Sequence, residues 1–485
     1  LELSPVSAPI ALRDCATGCV KGLSAETVIA TVRAVSSDAP GTHEFSVEAT
    51  QADGQKVLAT GNFEVVPFTA ALGPKVKNII ILLGDGMGAS QRTAARIVHG
   101  YAQGKALRPL AMDSFTATAM VKTSSLNSIV TDSAPGMSNY VNGNKAQNNQ
   151  EGVFPDDTTD AFDNPRIEYL SEYLHRLKGT SLGIVTTADV FDATPAANAV
   201  HTSARGNGTG IVDQYLDDRN LTGLKVLMGG GRKWFLPNPS NSISPQPING
   251  SQRRNANDYV LAADLQNGWG AAPGALDPNR DLIADFQTAG FTYAPDNTTL
   301  QSAGTPDMLL GLFSYSNMNV AFDKINGRRG TDKNGLTGAS VVEDFGLPDQ
   351  PMLDEMAAKA IDVLKRSPKG FVLMIEGASI DKQAHAMDTE RWMLDTLEFD
   401  RAVRVAQDFA AEHGDTLVIV TADHECSGAA LIGGSVVTDA KLAELATKKG
   451  AANLRNSVVG VYERAGFPRY KLAADGYPET TDIDY

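Results

Sequence analysis

No stretch of the 485-residue chain approaches the roughly 18 consecutive apolar residues of a membrane-spanning helix; the densest run, Asn78–Leu83, has the length of a strand. Cysteine is scarce. Cys15, Cys19 and Cys426 cannot all pair, so no disulfide framework exists, although Cys15 and Cys19 either close a small loop in an oxidising compartment or remain two thiols. Positive charge is also short: 42 Lys and Arg face 57 Asp and Glu, a net charge of −15 that disfavours a non-specific nucleic-acid binder. The chain opens Leu1-Glu2-Leu3-Ser4-Pro5, without an initiator Met or a basic start leading into an apolar run, which suggests a processed or trimmed product. Internal repeats and long low-complexity tracts are lacking as well.

What is present, 42% hydrophobic and 20% charged residues, has the balance of a globular protein. At roughly 150 residues per domain the length suits about three units, or one large α/β domain with an appendage. Residues 1–70 read as a small β-rich, sandwich-like module, with strand-like segments Glu26–Val35, His43–Glu48 and Val57–Val66 between Gly-containing turns. From residue 75 to 485 the grammar becomes α/β. Continuous apolar runs at Asn78–Leu83, Leu182–Thr186, Leu224–Met228, Phe371–Ile375 and Leu417–Thr421 suit parallel strands buried on both faces. Helical spacing at Pro351–Ser367 and within Asp381–His413 supplies crossovers, which predicts a doubly wound, mostly parallel central sheet flanked by helices. Residues 235–345, rich in Asn, Pro, Gly and Ser, read as an irregular insertion.

In such a sheet ligands bind beyond the carboxyl ends of the strands. There the apolar runs lead into Gly84-Asp85-Gly86, into Glu376 through His385, into Asp423-His424, and into Asp192-Ala193-Thr194-Pro195 followed by an expected helix bearing His201 and Arg205. Each has an ordinary explanation by itself. Gly-Asp-Gly makes a turn, Asp-His caps a helix, and Asp381 with His385 at i and i+4 makes a surface pair. Together they are harder to dismiss, because Asp85, Glu376, Asp381 and Asp423 converging with His385 and His424 would repel unless cations neutralised them. Mixed His and carboxylate donors suit zinc, and an oxygen-only subset suits magnesium. Two divalent ions about 4 Å apart would clamp a phosphoryl group in flight. The candidate nucleophile is Ser133 in Thr131-Asp132-Ser133-Ala134, after a weak strand expected at Thr116–Thr123 and at a helix start, where it would otherwise serve as a simple N-cap.

The motifs EGASIDKQAH (Glu376–His385) and DATPAANAVHTSAR (Asp192–Arg205), with the segment GGGRK (Gly229–Lys233) and the short TDSA and DH, resemble the bacterial alkaline phosphatase family over residues 75–485. The resemblance implies a phosphomonoesterase working through a phosphoserine at Ser133, with two zinc ions and one magnesium. Asp85, Asp423, His424 and Ser133 itself would meet the first zinc, Asp381 and His385 the second, and Asp85, Thr194 and Glu376 the magnesium. Arg205 would grip two phosphoryl oxygens, while Asp192 and Lys382 would tune the magnesium site and the phosphate. It further implies inorganic phosphate and small phosphate esters as ligands, a homodimer, and a periplasmic or secreted location.

Two departures stand out. The family supplies a third protein ligand to the second zinc, a downstream His, yet no His follows His424; the expectation is a chain cut short at its C-terminus. Pro135-Gly136-Met137 replaces the usual small-residue run after the serine. Cys426 would be a soft zinc ligand or, more ordinarily, a small buried thiol. Competing readings are a phosphodiesterase or sulfatase of the same superfamily, and a non-catalytic extracellular interaction protein.

Overall fold

The computed structural model describes residues 10–11, 28–29, 39–50, 53–65, 76–102, 109–156, 158–242, 250–329, 349–431 and 473–476. The chain divides into two units, Leu1–Lys75 and Val76–Tyr485. In the first, β1 (Ile10–Ala11) pairs antiparallel with β2 (Val28–Ile29), and β3 (Gly41–Thr50) with β4 (Lys56–Val65). Gly54 at φ +82° turns the β3–β4 hairpin, and Asp53 accepts from the Gln55 N–H at 2.9 Å. Cys15 and Cys19 lie outside the described residues, as does most of Glu26–Val35.

The second unit carries β5 (Asn78–Gly84), β6 (Ser181–Asp189), β7 (Leu224–Gly230), β8 (Thr292–Ala294), β9 (Leu309–Leu312), β10 (Phe371–Gly377) and β11 (Thr416–Thr421). Among the described residues they form one sheet of order β11-β5-β10-β6-β7-β9-β8, with every pair parallel. The α/β expectation therefore holds. The apolar runs are continuous because both faces are covered: Ile80, Leu82, Leu373 and Ile375 pack with the helices Leu353–Leu364 and Thr389–His413, whereas Ile81, Leu83, Val372 and Met374 pack with Ser133–Asn142 and Gly208–Asp217. Edge strand β11 is covered less, and Leu417 and Ile419 remain partly exposed.

Several local expectations change. Thr116–Thr123 forms no strand, since no neighbour offers it a ladder and Met120 and Val121 are exposed. His201 and Arg205 are not on a helix: the helix after Asp192 is only Ala193–Ala196, and the Asn198 side chain donates to the carbonyls of Thr194 and Pro195, ending it. His201–Arg205 is a loop, buried at His201 and Thr202 and half-buried from Ser203 to Arg205, with Thr202 bridged to Glu151. The stretch Asp381–His413 is two helices, Ser379–His385 and Thr389–His413, broken where Met387 takes φ +57° and Asp388 caps the second at the Arg391 N–H. Residues 235–345 include β8 and β9, which extend the sheet, and several short helices; their short apolar runs gave little periodicity to read.

Candidate active site

Strand register determines which loops meet. Glu376 on β10 lies opposite Leu83 on β5 and Thr186 on β6, and Thr421 on β11 also lies opposite Leu83. β5, β10 and β11 thus end at one level, with Glu376 next to last in β10 and Asp85, Asp381 and Asp423 on the segments that follow the three carboxyl ends. Gly86, at φ +62°, permits the crowding: a Cβ there would stand 2.7 Å from Asp381 Oδ1 and 2.8 Å from Cys426 Cβ. The Gly-Asp-Gly is a turn, and it is also the floor on which Asp381 and Asp423 rest, the latter accepting the Gly86 N–H at 3.1 Å.

Ser133 opens the helix Ser133–Asn142, and the cap falls to Asp132, whose carboxylate accepts from the Ala134 N–H at 2.8 Å. The Ser133 hydroxyl is therefore not consumed by capping. It lies 3.3 Å from Asp85 Oδ1 and 3.3 Å from His424 Nε2. Pro135 falls in the first turn, where a helix has no partner for the missing N–H, so this departure leaves the helix start intact. Gly136 packs directly against Asp423.

Around Ser133, His424 Nε2 is 3.4 Å from both Asp85 and Asp423. Donor atoms of Asp85, Asp381 and His424 lie within 4.8 Å of one another, and so do those of Asp381, His385 and Cys426. The carboxylates are almost wholly buried. Burial first, then the charges of Asp423, Asp381 and Glu376, pushes the Asp85 carboxyl well above its ordinary range. Burial likewise pushes Glu376 up to about 8, although it accepts a 2.5 Å hydrogen bond from the Thr186 hydroxyl. Asp381 Oδ1, Asp423 Oδ2 and Thr194 Oγ1 are buried without a hydrogen-bond partner. Crowded, costly carboxylates with such unsatisfied oxygens fit a divalent cation far better than a core of fixed hydrogen bonds.

The opposite wall is cationic. Arg205 donates to Asp192 at 2.7 Å and to Asp132 at 3.1 Å, and Lys382 donates to the other Asp192 oxygen at 2.7 Å. Although burial opposes it, the charges of Lys382 and Arg205 hold Asp192 well below the usual carboxylate range. Asp192 also receives the Ala193 N–H, so one carboxylate aligns two cations and the start of the following short helix.

Ser133, Asp85, Asp423, His424, Asp381 and His385 thus lie beside one another, Asp192 ties Arg205 to Lys382, Glu376 accepts from Thr186, and Thr194 is buried on the short helix that Asp192 caps. His385 is the most open, with its side chain 70% exposed, and Nε2 stands 3.2 Å from Asp381. Sequence reasoning gave Asp132 no role, though it stands in the quoted TDSA and orients Arg205. It also passed over Glu151, which is fully buried with both carboxyl oxygens lacking a partner and no local pattern to betray it. Lys233 of GGGRK pairs with Asp189 at 3.1 Å.

Comparison with known proteins follows the same outline. The family model described as alkaline phosphatase matches residues 76–476. The chain is 31% identical over 367 residues to the tissue-nonspecific alkaline phosphatase of Gallus gallus, covering 72% of this chain and 63% of that protein. Alkaline phosphatase H of Pseudomonas aeruginosa is 31% identical over 441 residues, covering 84% and 82%. Among solved structures, the cold-active alkaline phosphatase of a Shewanella species superposes with a TM-score of 0.54 at 25% identity, covering 74% of this chain and 70% of that one.

Proposed function

The chain belongs to the alkaline phosphatase family, and from that premise we propose that it hydrolyses small phosphate monoesters through a covalent phosphoserine at Ser133. The observation that carries this reading is the Ser133 hydroxyl at a helix N-terminus, within 3.3 Å of both Asp85 and His424. The unsatisfied buried oxygens and mixed donors fit two zinc ions and a magnesium ion. Asp85, Ser133, Asp423 and His424 would hold the first zinc, Asp381 and His385 the second, and Asp85, Thr194 and Glu376 the magnesium. When bound, these cations supply Lewis acidity that lowers the proton affinity of the oxygens beside them and offsets the negative charge of substrate and carboxylates.

The chain's own groups then position the reacting atoms. Arg205, already oriented by Asp132 and Asp192, offers its fork to two non-bridging phosphoryl oxygens. Ser133 Oγ attacks phosphorus as its proton passes to solvent, and the ester oxygen departs opposite to it and takes a proton from water. Lys382, tied to Asp192, adds positive charge on the side of the incoming phosphate. Water then attacks the phosphoserine from the face the alcohol left and restores the hydroxyl. The periplasm or the extracellular medium is the compartment this chemistry suits, and cell fractionation tests it.

The direct test is Ser133→Ala with a radiolabelled aryl phosphate. The wild type should trap label on the protein after an acid quench and the variant should trap none, with metal content nearly unchanged. Label retained by the variant would remove Ser133 from its role, and a strong preference for a p-nitrophenyl diester over the monoester would overturn the substrate class.

A further inference from the structure

Cys426 follows His424 by two residues, on the loop leaving β11, and its backbone is fixed at both ends: its N–H donates to the Gly86 carbonyl at 3.2 Å and its carbonyl accepts from Gln91 Nε2 at 3.2 Å. This places the thiol against the helix Ser379–His385, with Sγ 3.8 Å from the Asp381 carbonyl. The donor atoms of Cys426, Asp381 and His385 all lie within 4.8 Å of one another. A second, independent observation points to a ligand there. Asp381 is 7% exposed, yet its Oδ1 has no hydrogen-bond partner, and the absent side chain of Gly86 lets Asp381 and Cys426 approach its backbone closely, since a Cβ there would stand 2.7 Å from Asp381 Oδ1 and 2.8 Å from Cys426 Cβ.

We infer that Cys426 Sγ is a third protein donor, completing with Asp381 and His385 a sulfur-nitrogen-oxygen site for zinc. The inference rests on the reading, given above, that Asp381 and His385 hold a cation. Tetrahedral zinc with Zn–S about 2.3 Å and Zn–N about 2.0 Å sets its donors roughly 3.5 Å apart. Closing from the observed bound of 4.8 Å draws any pair together by at most about 1.3 Å, and His385, the most exposed of the three, has the most freedom to move. On binding, the thiol gives its proton to solvent and a sulfur lone pair forms the bond to zinc, so no oxidant or reductant is involved. A thiolate also sets this site apart from the oxygen-only set of Asp85, Thr194 and Glu376, favouring zinc here and magnesium there.

The test uses the full chain with Cys15→Ser and Cys19→Ser, which leaves Cys426 as the only thiol. After chelation the protein is loaded with Co(II) as a spectroscopic probe. The expected result is a thiolate-to-cobalt charge-transfer band that disappears in Cys426→Ser and in His385→Ala, together with zinc retention against a chromophoric chelator weakened about tenfold or more in Cys426→Ser. Should Cys426→Ser fail to fold by thermal melt, the band in the parent and its loss in His385→Ala decide the matter. Full cobalt loading without the band, with one equivalent still lost in His385→Ala, overturns the cysteine and leaves the phosphatase reading standing. No equivalent lost in His385→Ala overturns the underlying metal assignment as well.

Discussion

Adding a single methyl group at Gly136 tests whether the helix behind Ser133 sets the position of Asp423. An alanine Cβ there would stand 2.8 Å from Asp423 Cβ, and the carboxylate's own Oδ2 would be 3.5 Å away. Carbon–carbon contacts settle near 3.5–4.0 Å, so Asp423 or the helix must give by at least about 0.7 Å. Asp423 is 1% exposed, and the atom in contact is next to its backbone, so no flexible tip absorbs the strain. Overpacking of this kind costs about 1–3 kcal/mol, while replacing Gly by Ala in a helix returns about 1 kcal/mol, leaving a net destabilisation of roughly 0–2 kcal/mol. Catalysis should suffer more than folding. A displacement near 1 Å costs about a hundredfold in rate, so kcat/KM for an aryl phosphate should fall tenfold or more while the thermal midpoint moves by only a few degrees. Gly268→Ala is the control: it also lies within a helix, where an added Cβ meets nothing within 4 Å, and it should leave activity unchanged. Wild-type kcat/KM and metal content in Gly136→Ala would refute the reasoning.

Three further outcomes follow from the geometry. Arg205→Lys loses the fork shared between Asp132 and Asp192, so inhibition by inorganic phosphate should weaken by roughly 10- to 100-fold; an unchanged inhibition constant argues against the clamp. In the chelated protein Glu376 has its folded-state pKa raised from 4.5 to about 8, so its contribution to stability is fully present below pH 4.5 and is lost as pH rises through 8. The melting temperature of chelated protein should therefore drop between pH 6 and 9, and added zinc and magnesium should restore more at pH 9 than at pH 6; a flat profile would contradict the burial of that carboxyl. Arg253 is fully buried and grips both Asp213 oxygens at 2.7 and 2.6 Å, so Arg253→Ala should destabilise the fold by about 3–5 kcal/mol in denaturant titration, and a loss below 1 kcal/mol would mean that solvent reaches Asp213.

Much of this was legible before any coordinate. Ile79–Leu83, Leu182–Thr186 and Phe371–Ile375 are apolar without interruption because both sheet faces are covered, and such a run reads as a central parallel strand wherever it occurs. The polar residues after each run identified the site, since in this architecture only the carboxyl ends face an open crevice. Segments stabilised by neighbours distant in sequence were less legible. The four-residue β9 gains its place from pairing with β7 and β8, and Thr116–Thr123 has strand-like residues without a ladder. The segment of His201 and Arg205 is loop where the sequence predicts helix, because Asn198 ends the preceding turn through side-chain bonds that spacing does not encode.

The sequence by itself determined the α/β class, the order of the strands along the chain and the chemical kinds of group available, because burial pattern and side-chain type are local properties. Only the tertiary structure decided that Asp132 caps the helix and leaves the Ser133 hydroxyl to Asp85 and His424, that Asp192 couples Arg205 to Lys382, and that Cys426 stands beside Asp381 and His385. Apart from the local cap, those pairings join residues from 13 to 291 positions apart, and the register of parallel strands, rather than any local preference, brings such distant partners to one level.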